Sequence, residues 1–128
     1  MKENNTAPGT ICPLRYLADV FGGKWKLPII CILAESSPKR YGAIKRGLDG
    51  VTNVMLTQSL RELESHGLIA RRQYNEVPPR VEYSLTERGR SAVPFLEAAA
   101  RWAIDDMTRA DGQKRCDRCV AGAKSKIT

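Results

Sequence analysis

Apolar positions recur at helical spacing through the first half of the chain. Leu14, Leu17, Ala18 and Phe21 share one face of a helix expected over residues 12–21, and Gly22-Gly23 ends it. A second helix is expected over 24–35 with Trp25, Ile29, Ile32 and Leu33 inward. Pro28 falls in its first turn, where no internal donor bond is lost. Ser36-Ser37-Pro38 breaks the pattern, and a short helix over 41–48 then aligns Tyr41, Ile44 and Leu48 before Asp49-Gly50 closes it. Thr52 is placed to cap a fourth helix over 53–66, in which Leu56, Leu60 and Leu63 fall at i, i+4 and i+7 and Gly67 supplies the stop.

The period then changes. Residues 69–75 are rich in strand formers and 81–85 alternate apolar and polar, so the two runs predict a hairpin whose tip is Glu76-Val77-Pro78-Pro79-Arg80. Thr86 caps a long final helix with Val93, Leu96, Ala100, Ala103 and Met107 at helical spacing, widened by Phe95, Ala99 and Trp102, and kinked near its start by Pro94. So broad an apolar stripe exceeds what a small domain needs for its own core, which points to a second subunit. The fold class expected is α+β: a mostly helical winged helix-turn-helix with a two-stranded wing and terminal dimerisation helices. Residues 1–11 read as a flexible start, 12–108 as the DNA-binding and dimerisation domain, and 109–128 as a basic, mobile tail.

Composition narrows the class. At 128 residues, with 42% hydrophobic and 27% charged positions, the chain fits one globular core and neither bulk disorder nor several domains. Its longest apolar run, 27–34, holds a proline and is far shorter than the roughly 20 residues that cross a bilayer, so no membrane partner is expected. The polar first ten residues lack the apolar core of a secretory signal, so a cytoplasmic location is expected. The net charge is +7, but residues 109–128 hold six basic residues against two acidic ones. The body therefore carries only a small excess, and its placement matters more than its total. Residues 39–80 concentrate eight basic side chains against four acidic ones, across the expected third helix, fourth helix and hairpin.

With Leu56, Leu60 and Leu63 inward, the fourth helix must display Val54, Gln58, Arg61 and Ser65, with Thr57 at the edge. Amide, hydroxyl and guanidinium groups are the chemistry that reads base edges and phosphates. A solvated amphipathic face would look similar, yet it would not need the order helix, turn, helix, hairpin. Arg40, Thr52, Asn53, Thr57, Gln58, Arg61, Arg72 and Arg80 are therefore the candidate contacts to double-stranded DNA. Gln58 and Arg61 are expected to read bases, and Arg72 and Arg80 to add phosphate or minor-groove contacts.

Cys12-Pro13, Gly23-Lys24-Trp25, Arg40-Tyr41, Met55-Leu56-Thr57, Leu60-Arg61-Glu62-Leu63-Glu64, Gly67-Leu68-Ile69, Pro78-Pro79-Arg80-Val81-Glu82-Tyr83, Leu85-Thr86, Gly89 and Trp102 together resemble the HxlR-type bacterial transcriptional regulators over residues 12 to 104. The resemblance implies a homodimeric winged-helix DNA-binding protein, related in fold to MarR-type regulators, on a two-fold operator, with the first and last helices forming the dimer contact. It also implies that the cysteine matching Cys12 senses oxidants or electrophiles in some members.

Cys12 precedes Pro13 at a helix start, where unpaired N–H groups favour negative charge and hence a nucleophilic thiol; a small apolar plug in the dimer seam is the competing reading. Cys31, between Ile30 and Ile32, is expected to be buried and inert. Cys116-Asp117-Arg118-Cys119 has the spacing of a redox dithiol or half a zinc site. With His66 as the one histidine, a zinc site within one chain is not expected, whereas a disulfide, a partner thiol for Cys12 or a zinc shared by two tails stays open. Cys12, Cys116 and Cys119 are the candidate redox residues; no cofactor is expected. A thiol-disulfide oxidoreductase would set the pair where a strand meets a helix, not in a basic tail. A winged helix used for protein contacts keeps the fold and drops the DNA. No nucleophile triad, paired carboxylates or phosphate-cradling glycine loop is visible, so no catalysis is expected, and repression by promoter occupancy is the default mode.

Overall fold

The computed structural model describes residues 10–109. The N-terminal segment through residue 9 and the tail from residue 110, with Cys116 and Cys119, lie outside the described residues. The order is α1 (Pro13–Phe21), α2 (Lys26–Glu35), β1 (Lys39–Arg40), α3 (Tyr41–Arg46), α4 (Asn53–Ser65), β2 (Ile69–Tyr74), β3 (Arg80–Leu85), α5 (Glu87–Ser91) and α6 (Val93–Arg109).

The expected hairpin is present, but it belongs to a three-stranded antiparallel sheet of order β1-β3-β2. The added strand is the pair Lys39 and Arg40, in register with Tyr83 and Glu82. Two residues are too few to show a period, which is why the pattern along the chain does not reveal them. On the other side of β3, Ile69 faces Leu85 and Tyr74 faces Arg80. The roots of the hairpin, Ile69, Tyr83 and Leu85, are buried, while β2 beyond Ile69 is exposed until Tyr74. The wing is thus anchored at its base, with β2 open to solvent and β3 half-buried along its length.

The long final helix is two helices. Thr86 caps the first as expected, its Oγ1 accepting from the Gly89 N–H at 3.0 Å. α5 then stops at Ala92, one residue before α6 starts, and Pro94 sits in the first turn of α6, where it costs no internal hydrogen bond. Gly89 explains the position of α5. A Cβ there would collide with the Leu68 carbonyl oxygen, so only glycine lets α5 lie against the turn between α4 and β2.

The core is one cluster. Ile29, Ile30, Ile32 and Leu33 of α2, Ile44 of α3, Leu56, Leu60 and Leu63 of α4, and Leu96 of α6 converge on the sheet base. α2 is buried on more than the expected stripe, since Ile30 is as enclosed as Ile29. Cys31 is only partly buried, contrary to the expectation from its apolar neighbours. Trp25 lies at the core margin rather than within it. Leu96 faces the core, whereas Phe95 and Trp102 of the same helix are exposed. On α1 the buried side chain is Val20, and Leu14 of the expected inner face is 73% exposed.

Among the described residues one charged residue is buried as a whole. Lys26, at the first position of α2, is buried, and its Nζ meets Glu62 Oε1 of α4 at 2.7 Å. Burying an ammonium is tolerable only with such a partner, because desolvation opposes the charged form. The other oxygen of Glu62 accepts from Gln58 Nε2 at 2.9 Å. The hydrogen bond from Lys26 first, and that from Gln58 second, hold the Glu62 carboxyl below its ordinary value. Because the folded value is depressed, the stabilisation is complete above the ordinary carboxylate range and is lost as pH falls through the folded value. Glu62→Gln should therefore lower stability by about 1–2 kcal/mol at pH 7, a discounted figure because Glu62 is partly open to solvent. Urea unfolding at pH 7 and below pH 4 should show that gap closing on acidification; an unchanged gap would mean the charge contributes nothing.

Candidate nucleic-acid interface

α3 and α4 form the helix-turn-helix. Gly47 ends α3, Gly50 turns the chain with φ 86°, and Thr52 starts α4 by accepting from the Met55 N–H at 3.1 Å. Gly67, at φ 77°, ends α4 in the left-handed region that favours glycine. These punctuation residues, with Leu56, Leu60 and Leu63 inward, fix which face of α4 looks out. That face carries Val54, Gln58, Arg61 and Ser65, all exposed, with Thr57 half-buried at its edge. The sequence pattern and the structure agree on every one of these positions.

The N-terminal end of α4 is tied to α3. Tyr41 Oη donates to Asn53 Oδ1 at 2.9 Å and lies 3.5 Å from Thr57 Oγ1. Asn53 and Thr57 thus share a phenol that sequence reasoning assigned only to packing. Thr52, exposed, spends its side-chain acceptor on the cap. Arg40, on β1, is exposed and stands next to α3. Near the start of α4, Trp25 Nε1 donates to Met55 Sδ at 3.1 Å, and Lys24 Nζ lies 5.0 Å from the Trp25 ring centre.

The wing divides its arginines into two kinds. Arg71 and Arg72 on β2 are exposed, with Arg72 4.8 Å from the centre of the Tyr74 ring. Arg80 is held. Its guanidinium lies 3.9 Å from the centre of the same ring, and it pairs with Glu76 at 3.0 Å and Glu82 at 3.2 Å. Its Nε is buried without a partner among the described residues. Two carboxylates already satisfy the outer nitrogens of Arg80, so its first task is to brace the hairpin where the tip leaves the sheet. Among the described residues Arg72 has no such ion pair, and it remains the better placed of the two for a phosphate. The signal for this was present as Glu76, Arg80 and Glu82 at short spacing, but alternation along a strand does not say which side chains turn back on the tip.

Among the described residues no group of three metal-ligating side chains occurs, and no helix is long and apolar enough to cross a membrane. Cys12 is the N-cap residue of α1, partly buried, with no side-chain capping bond. A shallow cavity of about 150 Å³ lies between α1 and α5, beside the hydrogen bond from Arg88 to the Tyr16 hydroxyl at 2.7 Å.

A helix-turn-helix with a polar, basic outer helix and an arginine-bearing hairpin beside it defines a winged-helix transcriptional regulator of DNA-binding type. Comparison with known proteins makes this particular. The HxlR-like helix-turn-helix family profile matches residues 20–111, and the chain belongs to that family, whose relatives are transcriptional regulators and not enzymes. It is 47% identical over 92 residues to an HTH-type transcriptional regulator of Methanothermobacter thermautotrophicus, covering 72% of this chain and 70% of that protein. Among solved structures it is similar to the HTH-type regulator YtcD, with 41% identity, TM-score 0.72, and coverage of 77% and 99% of the two chains. It is also similar to the redox regulator HypR in its oxidised form, with 40% identity, TM-score 0.69, and coverage of 73% and 96%.

The bracing role of Arg80 has a direct check. Arg80→Ala should destabilise the fold by about 1 kcal/mol, the scale of an exposed cation–π contact with partly open ion pairs. Hydrogen exchange should show the loss confined to β2 and β3, leaving α2 and α4 protected. Uniform loss across the domain would show instead that Arg80 supports the core.

Proposed function

We propose that the protein is a homodimeric repressor that occupies a two-fold DNA operator and releases it when Cys12 is oxidised or alkylated. One observation carries the DNA part: the outer face of α4 presents Gln58 and Arg61, next to Asn53 and Thr57, beside a wing with exposed Arg71 and Arg72. An α-helix fits the major groove, and phosphates flank it where a hairpin wing would lie. Arg40, Thr52 and Arg80 border the same surface, Arg80 chiefly through its hold on the wing.

The dimer is supported by apolar surface left unspent by the core. Ile11 and Leu14 at α1, and Phe95 and Trp102 on α6, are exposed, and Phe21 of α1 meets Phe95 of α6 at 6.1 Å between ring centres. A second copy covering these two helices would set the spacing of two recognition helices on two half-sites. The thiol switch is supported by the position of Cys12 at the start of α1 and by the similarity to the redox regulator HypR. In the oxidation proposed, Cys12 and a tail thiol, Cys116 or Cys119, give up two electrons and two protons to a diazene-type oxidant and join as a disulfide. An electrophile such as a quinone would instead take the Cys12 sulfur as an adduct.

Duplexes enriched from a random library, followed by fluorescence anisotropy, test the DNA reading. Arg61→Ala should cost about 1–3 kcal/mol on the enriched duplex and relax its specificity. Arg72→Ala should weaken all duplexes alike and lower the salt slope by about one. Wild-type affinity in both variants would leave the winged helix with a protein-contact role.

The switch needs its own measurement. Diamide should release wild-type protein from the enriched duplex and dithiothreitol should restore binding, while Cys12→Ser should hold the DNA throughout. Release by Cys12→Ser that reductant reverses would move the sensor to another cysteine.

A further inference from the structure

Gln58 is exposed on the reading face of α4, yet its amide is not free to turn. Nε2 donates to Glu62 Oε2 at 2.9 Å, and Glu62 Oε1 is held by the buried Lys26 ammonium at 2.7 Å. A carboxylate only accepts, so it is the NH₂ end of the amide that must face Glu62. One of the two amide N–H bonds is thereby spent. What remains is one N–H and the carbonyl oxygen Oε1.

One donor beside one acceptor matches adenine, which offers the N7 acceptor and the N6 amino donor in the major groove. It does not match guanine, whose N7 and O6 both accept and so ask for two donors. An untethered glutamine samples both ends of its amide, whereas here the ion pair across α2 and α4 selects one. Resting on the DNA-reading role proposed for α4, we propose that Lys26 and Glu62 are positioning residues for base recognition: they orient Gln58 so that it reads adenine at one position of each half-site.

The same arrangement answers why a carboxylate is tolerable on a surface proposed to meet phosphates. Lys26 neutralises Glu62 from inside the domain, so the polarity of the outer face is set from beneath it. A pair serving the fold alone would have no need to involve the exposed amide of Gln58, and the geometry shows both carboxylate oxygens in use.

The test is selection of duplexes from a random library by the full 128-residue chain under reducing conditions, with base preference read column by column. A bidentate amide contact is worth on the order of 5- to 150-fold in base discrimination. Gln58→Ala should flatten one adenine column. Lys26→Met/Glu62→Met removes both charges while keeping side-chain volume, so it folds without a buried lone charge. It should lower the adenine preference in that same column by about tenfold, within the range of one bidentate contact. Lys26→Met alone, which leaves Gln58 its acceptor but frees that acceptor to move, should lower it by about threefold. Thermal unfolding establishes that each variant is folded before selection.

Retention of the adenine column by the double variant would overturn the positioning role. So would equal weakening of every column, which marks a purely structural pair, or a guanine column lost in Gln58→Ala. If the wild type enriches no motif at all, it is the DNA-reading role of α4 that fails, and the positioning role with it.

Discussion

The contact on which the arrangement turns is the ion pair between Lys26 and Glu62. It spans the two helices whose relative pose decides what α4 presents. Ile29, Ile30 and Leu33 on one side, and Leu56, Leu60 and Leu63 on the other, supply the apolar cohesion between α2, α4 and the sheet base. Apolar contact alone is tolerant of small slides, because hydrophobic attraction is not directional. A lysine with nowhere else to place its charge is not. Moving α4 by a helical step along α2 would strand an ammonium in the core, at a cost of several kcal/mol. The pair therefore contributes less to total stability than to the uniqueness of one pose, a role that buried polar groups play elsewhere when they fix register.

That pair was illegible in the sequence for a physical reason. A lysine between Trp25 and Leu27 at a helix start reads as solvent-facing, since lysine is almost never buried unless paired, and its partner lies 36 positions away. What was legible followed from local rules: the 3.6-residue spacing of Leu56, Leu60 and Leu63, the Thr52 and Thr86 caps, and the stop at Gly67 all recur in the structure as read. Those rules also named the outer face of α4. Local rules failed where a feature is decided by something distant. β1 exists because β3 offers an edge to Lys39 and Arg40, and α5 lies where it does because Gly89 lets it pack against Leu68. Cys31 escaped its expected burial because its helix neighbours, not the cysteine, face the core.

The arginines illustrate a related limit. Composition supplies basic side chains between residues 39 and 80 but does not distinguish those that are committed from those that are available. Arg80 is braced between Glu76, Glu82 and the Tyr74 ring, while Arg61 and Arg71 project into solvent. A committed arginine shapes the wing, and the uncommitted ones give it charge. Both contributions are needed for a hairpin that is to hold a defined position beside a helix, since an isolated two-stranded ribbon is marginal in water. β1 adds a third strand at the base, and Tyr74 with its two arginines stiffens the far end.

Rigidity is thus concentrated around α4. α4 is fixed by its leucines, by Lys26 beneath Glu62 and by Tyr41 on Asn53, so no single one of these attachments lets it turn alone. α1 is held differently: it buries Val20, touches α6 through Phe21 and Phe95, and is joined to α5 by Arg88 on Tyr16. Most of its side chains remain open. Local free energies of opening follow such differences in burial, and elements with few buried contacts yield first. A chemical event at Cys12, the N-cap of α1, therefore has little leverage on the face of α4 but considerable leverage on how α1 would meet the second subunit of the proposed dimer. In the proposed switch the reading heads would stay intact while their separation changes, which is sufficient because two half-sites on a duplex tolerate only a narrow range of spacing.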